Sequence, residues 1–279
     1  MKKDIREISQ EELEQFFLEN NQQKFRIKQL NEWLWEKGAN SFDQMSSLSK
    51  DLRELLNEKF EFKSAKIDQE FKSTDGTIKF SFKLFDDKLV EGVLIPSKKR
   101  VTACISSQIG CSLDCTFCAT GTMGLSRNLS SSEIFDQVFK LNEESEKNYG
   151  RSLTNIVFMG MGEPLLNYNN LLKAIHHITS EKGMGVSPRR ITVSTAGLSK
   201  QIIKLADDEV RFNLAISLHS ANNSKRNVLM PINQKINLTE LRNSVRYFYD
   251  KTGSRVTYEY ILFKDLNDNI EDAQKLAQF

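Results

Sequence analysis

Apolar residues recur at helical spacing over the first sixty positions, and the period then switches to two. Ser9 followed by Glu12 matches a capping box that opens a helix carrying Leu13, Phe16 and Phe17. A second helix carries Ile27, Leu30, Trp33 and Leu34 and ends near Gly38. A third, after Ser49, carries Leu52, Leu55, Leu56 and Phe60. From Lys72 onward the apolar residues Ile78, Phe80, Phe82 and Leu84 alternate with polar ones after an Asp75-Gly76 turn, and a second strand, LVEGVLIP, follows Asp86-Asp87, which predicts a β-hairpin. In that strand Leu89, Glu91, Val93 and Ile95 share a face, so Glu91 is a carboxylate in an apolar row. Two readings stand: an edge strand with Glu91 reaching solvent, or a tuned acid or base.

After Lys98-Lys99-Arg100 the chain settles into an alternation of strands and helices. Strand-like runs are VTACIS, NIVFM, RITVS, NLAISL and RVTYEYILF. The helical runs that follow them are 131–148, 169–182, 198–207, 238–251 and 270–279. Repeated βα units predict an α/β fold with a parallel sheet, curved as a barrel or open and doubly wound, and ligands at the carboxyl ends of the strands. The residues just past the first four strands are Cys111, Cys115 and Cys118, then GMGEP (160–164), Ser194-Thr195 and Ser217-Leu218-His219. The pattern divides the chain into a helical domain over 1–62, a hairpin region over 63–96 and a βα core over 97–279.

Of the 279 residues, 39% are hydrophobic and 27% charged, which excludes a disordered or collagenous chain. With 39 basic and 37 acidic side chains the net charge is +2, so an RNA partner has to be argued from the site rather than from the overall charge. The charged opening MKKDIREISQEELEQ is no signal peptide, and no apolar run approaches the ~18 residues of a membrane span. A cytosolic protein with no membrane partner is expected, in which clustered thiols serve as metal ligands or catalysts rather than disulfides. The last residues, IEDAQKLAQF, form an amphipathic pattern without a capping Gly or polar tail, and a continuing polypeptide is expected.

Cys111, Cys115 and Cys118 form C-x3-C-x2-C in a short loop bounded by Gly110 and Gly121. Three such thiolates can converge on one metal centre. A structural zinc takes four ligands, here needing Cys104, His176, His177 or His219 as the fourth, whereas three ligands on a [4Fe-4S] cluster leave one iron open to chelate S-adenosylmethionine. GMGEP offers close backbone approach and one carboxylate, Glu163, fitting the amino-acid end of that cofactor. Cys104, within the first strand, reads as a buried free thiol or a redox group. His176 and His177 read as structural, and the pairs Arg189-Arg190 and Lys225-Arg226 as solvated surface or phosphate contacts.

The segments SSQIGCSLDCTFCATG, GLSRNL, FMGMGEPLLN, SPRRITVSTAGL, LAISLHSAN, MPIN and VTYEYILFKDLND, with FRIKQLNEWLW and VEGVLIP upstream, resemble the dual-specificity 23S rRNA and tRNA adenine-C2 methyltransferases of the radical S-adenosylmethionine superfamily. The resemblance implies a partial (βα)6 barrel, incomplete at its C-terminus, behind a helical accessory domain. It implies two cofactors, a [4Fe-4S] cluster and S-adenosylmethionine, and chemistry suited to C2, an electron-poor aromatic carbon closed to ordinary methyl transfer. Carried onto this sequence, it makes Cys111, Cys115 and Cys118 the cluster ligands. Gly162, Glu163, Ser194, Ser217, Leu218 and His219 become the S-adenosylmethionine contacts, and Glu91 the proton acceptor. Cys104 becomes the thiol that pairs transiently with a methyl-carrying cysteine. The family's CGQL-like segment bearing that cysteine is not found in these residues, so a fragment or truncated product is expected. The implied partners are 23S rRNA, tRNA and reduced flavodoxin, and the expected state is a cytoplasmic monomer. The nearest rival is the Cfr-type resistance methyltransferase, which modifies C8 of the same adenine.

Overall fold

A computed structural model describes residues 2–279. The chain opens with a two-residue strand β1 (Lys3–Asp4) and three helices, α1 (Gln10–Glu19), α2 (Phe25–Asn31) and α3 (Lys50–Lys59), before β2 (Phe60–Glu61) pairs in parallel with β1. The capping box of α1 is formed as the sequence predicts, with the Glu12 N–H on the Ser9 side chain and the Ser9 N–H on the Glu12 side chain. Helix α2 passes into a turn of π-helix over Glu32–Glu36, which swings Leu34 and Trp35 inward.

Strands β3 (Lys66–Lys72), β4 (Ile78–Lys83) and β5 (Leu89–Pro96) form an antiparallel meander, where the sequence pattern predicts two strands only. KIDQEFK is almost wholly exposed, so it lacks the alternation that marks a half-buried strand. The meander is also continuous with the main sheet, because β5 pairs antiparallel with β6 (Val101–Cys104). A short antiparallel ribbon, β7 (Gln108–Gly110) with β8 (Leu125–Asn128), encloses the cysteine loop. The βα units then run α4 (Ser131–Tyr149), β9 (Asn155–Phe158), α5 (Tyr168–Thr179), β10 (Ile191–Thr195), α6 (Ser199–Asp207), β11 (Asn213–Ser217), α7 (Asn223–Leu229), α8 (Leu238–Thr252), β12 (Val256–Glu259) and α9 (Ile270–Gln278).

The eight-stranded sheet has the order β12-β11-β10-β9-β6-β5-β4-β3, with β6, β9, β10, β11 and β12 mutually parallel. The five parallel strands succeed one another in chain order with no reversal, so the sheet has no doubly wound switch point, and barrel-type winding is the outcome of the two the sequence leaves open. Along these strands one row, Ala103, Ile156, Phe158, Ile191, Val193, Leu214 and Ile216, is fully withdrawn from water. Each of these side chains larger than that of Ala103 contributes about 1.5–3 kcal/mol by its burial. The alternate row carries Cys104, Ser194, Ser217 and Glu259.

The helical module is fixed to the barrel by both packing and charge. The Trp35 ring meets Phe135 of α4 edge-on at 5.1 Å and stacks on His177 of α5 at 3.6 Å. Arg6, itself buried, bonds Asp4 at 3.0 Å and Asp136 of α4 at 2.6 Å, while those carboxylates accept from the Lys63 and Ala65 N–H groups. Glu7 accepts from the Ser132 N–H in the first turn of α4, where a negative charge is favoured.

Candidate active site

The strand ends gather the predicted residues around one cavity of about 530 Å³. Its lining includes Cys111, Cys115, Cys118, Gly162, Glu163, Ser194, Ser217 and His219, eight of the eleven residues singled out from the sequence. The other three lie elsewhere. Leu218 is fully buried behind the rim, its carbonyl accepting from Arg226 Nε. Cys104 sits half-buried on the inner sheet face beside cavity-lining Met159. Glu91 is half exposed and ion-paired to Lys79 at 2.8 Å. Its strand is no edge, being flanked by β4 and β6, and the row that looks apolar in sequence is the exposed one, whereas Val90 and Leu94 are buried. Since Val93 stands opposite Cys104, Glu91 and Cys104 share one sheet face as diagonal neighbours.

The cysteine loop is shaped by backbone constraints. Gly110 has φ +76°, and a Cβ there would meet the Gly124 carbonyl oxygen at 1.7 Å, so only glycine lets the ribbon strands close. Cys111 N–H donates to Gly124 O, Cys118 N–H to Cys115 O and Thr116 N–H to Leu229 O. Arg127 of β8 bridges Asp86 and Glu133 through four contacts of 2.8–2.9 Å, fixing the base of the ribbon.

Ties between strand ends build the rim. Gly162 has φ +98°, and a Cβ would lie 2.5 Å from Gln108 Cβ, while the Glu163 N–H donates to Gln108 Oε1. Glu163 is buried with both oxygens used: Oε1 accepts from Leu165 N–H and Oε2 from Ala196 N–H at 2.8 Å. Burial pushes its carboxyl above the usual range, opposed by those N–H bonds. Glu259, at the end of β12, accepts from Ser194 Oγ at 2.8 Å and Ser217 Oγ at 3.4 Å. His219, at φ +52°, accepts the Ile261 N–H on Nδ1, and burial lowers its pKa to about 4, which keeps the ring neutral with its proton on Nε2. Asn267 donates to the His219 and Ile261 carbonyls and holds the loop after β12 against this rim.

All four cysteines are free thiols. Burial raises Cys111, and it pushes Cys115 up to about 12 with the neighbouring thiols adding to the effect, so the protein alone holds these groups protonated until a cationic centre takes the protons' place. Among the described residues no three His, Cys, Asp or Glu side chains close on a single metal ion. A zinc ion needs that convergence, whereas the thiolates of an iron–sulfur cluster bind separate irons. Of the fourth-ligand candidates for zinc only His219 reaches the cavity; His177 stacks on Trp35 of the helical module, and His176 is exposed on the same helix α5. The donor set and a partly apolar cavity of this size fit a cluster with a nucleoside-sized cofactor beside it.

A family model described as the radical SAM superfamily matches residues 105–277, and one described as the ribosomal RNA large subunit methyltransferase N-terminal domain matches residues 3–62. A Christiangramia forsetii protein named probable dual-specificity RNA methyltransferase RlmN is 53% identical over 278 residues, covering 100% of this chain and 79% of that relative. The chain belongs to the RlmN family of radical SAM enzymes. A Cytophaga hutchinsonii protein of the same name is 55% identical over 278 residues and is covered to 76% of its length. The crystal structure of a radical SAM methyltransferase from Sphaerobacter thermophilus matches with a TM-score of 0.91 and 37% identity, over 99% of this chain and 81% of that one. The chain is thus a radical SAM RNA methyltransferase whose cofactors are a [4Fe-4S] cluster and S-adenosylmethionine. No helix among the described residues is long and apolar enough to cross a membrane.

Sequence reasoning missed Glu259, Tyr260 and Ile261, which line the cavity. The strand-end rule applied to VTYEY would have found Glu259, as it found the residues past the first four strands. It also missed Arg226, read as solvated surface or a phosphate contact but withdrawn from solvent at 1% exposure. No local pattern announces that burial.

Proposed function

We propose that this chain forms the cluster- and cofactor-binding core of an enzyme that methylates C2 of an adenine in 23S rRNA and in tRNA, by way of a methyl-cysteine whose cysteine is absent from these residues. The reading rests on one observation above all: three free thiols share a strand-end cavity with Gly162, Glu163, Ser194, Ser217 and His219. Cys111, Cys115 and Cys118 would hold the cluster, and Gly162, Glu163, Ser194, Ser217 and His219 would line the S-adenosylmethionine site, with buried Leu218 shaping it through the backbone. When bound, these cofactors supply a methyl group and the reductive cleavage of a carbon–sulfur bond, which reaches a carbon too electron-poor for ordinary methyl transfer. Glu91, on the same sheet face as Cys104, would accept the proton that C2 loses, and its exposure leaves it open to an incoming base once Lys79 is displaced. Cys104 would be the redox thiol that pairs with the methyl-carrying cysteine, which is not among these residues; burial pushes it up to about 11, so its proton has to be removed before that pairing. The enzyme would act in the cytoplasm as a monomer with reduced flavodoxin as electron donor.

This chain, expressed with a CGQL-like segment joined in frame after Phe279 in a bacterium lacking adenine-C2 methylation, tests the reading by mass spectrometry of digested 23S rRNA and tRNA. It predicts 2-methyladenosine in both, lost in Cys115→Ala. The appearance of 8-methyladenosine, or of no methylated adenine, would contradict it.

A further inference from the structure

Arg226 is the bulkiest side chain among those fully withdrawn from solvent. Its guanidinium donates from Nη2 to Ala196 O at 2.6 Å and to Ser217 O at 3.3 Å, from Nε to Leu218 O at 3.1 Å, and from Nη1 to Asn233 Oδ1 at 2.8 Å. Every acceptor is neutral, and among the described residues no carboxylate pairs with it. The other buried arginine, Arg6, has two carboxylates, and adjacent Lys225 has Asp272 at 2.6 Å. Burying an uncompensated cation is costly, a cost the fold avoids at both of those positions.

The charge lies beside the cysteine loop. Ala196, Leu229 and Met230 form a small apolar cluster on which Cys115, Leu113 and Phe117 pack, and Thr116 donates through both N–H and Oγ1 to Leu229 O, three residues from Arg226. Three thiolates give a bound cluster a net negative charge that grows by one unit on reduction, so a fixed buried cation at this point favours the reduced form.

We propose that Arg226 is the positioning residue of the cluster site: it clamps the ends of β10 and β11 by their carbonyls and supplies the unpaired positive charge that makes the cluster easier to reduce. The inference rests on the cluster reading of the preceding section, and the experiment separates the two. Wild-type protein and the variants Arg226→Lys, Arg226→Gln and Asn233→Asp are reconstituted anaerobically with iron and sulfide, and the reduction potential of each is measured by EPR-monitored titration. Asn233→Asp keeps the arginine and its bonds to the strand-end carbonyls and neutralises the charge, at the cost of the Asn233 amide's bonds to Asn223 and Asn227, so it decides the matter if Arg226→Gln does not fold. The expected result is a reduction equilibrium at least tenfold less favourable in Asn233→Asp and Arg226→Gln, about 59 mV for one electron, with Arg226→Lys near wild type. Unchanged potentials in the two neutralised variants would overturn the role of Arg226 while leaving the cluster in place. A wild type that takes up no cluster would overturn the cofactor reading instead.

Discussion

Gly162 and His177 show what single residues commit to, one at the cavity and one at the join with the helical module. Gly162 combines a left-handed backbone with a neighbour at 2.5 Å from any added Cβ, so Gly162→Ala has to push Gln108 aside and with it the N–H of Glu163. Calorimetric titration with S-adenosylmethionine is expected to show at least a tenfold loss of affinity in a variant that keeps its circular dichroism; unchanged affinity would contradict the contact. His177 gives a pH signature away from the cavity. Burial, with help from His176 and Lys173, lowers its pKa to about 3 in the folded chain against about 6.5 unfolded, so the unfolded state binds more protons between those limits. Stability therefore falls as pH drops below 6.5 and the loss levels off near 3. His177→Phe, which keeps the stack on Trp35, is expected to remove about 1–2 kcal/mol of the loss between pH 8 and pH 5 in denaturant melts. That Cys111, Cys115 and Cys118 gather at one place could be read from their spacing, because residues three and four apart in a short loop stay together. Glu91 and Arg226 could not: the face a strand buries and the carbonyls an arginine reaches are set by partners that stand far apart in sequence.

Elements were most readable where local chemistry and tertiary packing agree. The Ser130–Glu133 and Ser9–Glu12 capping boxes open α4 and α1 where their sequences place them, and the five parallel strands fall on the five predicted apolar runs. Strand β3 escaped because it is exposed on both faces, and α7 because its seven residues are organised by the Asn222 cap rather than by an apolar stripe. The join between helical module and barrel was equally hidden, since Arg6, Asp4 and Asp136 become partners only on folding. Asp136→Ala leaves Arg6 short of a carboxylate and Ala65 without an acceptor, and it is expected to cost about 3 kcal/mol in urea unfolding. A cost below about 1 kcal/mol would mean that the ion pair is dispensable to docking.

At the scale of the whole molecule, strand order turns a list of motifs into a site. Because β6, β9, β10, β11 and β12 wind in one direction, their carboxyl ends meet at one rim, where Glu163 ties β9 to β10, Glu259 ties β12 to β10 and β11, and Arg226 gathers the carbonyls behind them. A three-cysteine loop on that rim has one ligand fewer than a tetrahedral metal needs, and a cavity beside it sized for the cofactor that completes the set. The most direct measurement is the EPR spectrum of the anaerobically reconstituted, reduced protein with and without S-adenosylmethionine, alongside an iron count. The account predicts about four irons per chain, a cluster signal that changes on adding S-adenosylmethionine, and loss of both in Cys111→Ala. Stoichiometric zinc in place of iron, or a cluster signal indifferent to S-adenosylmethionine, would contradict it.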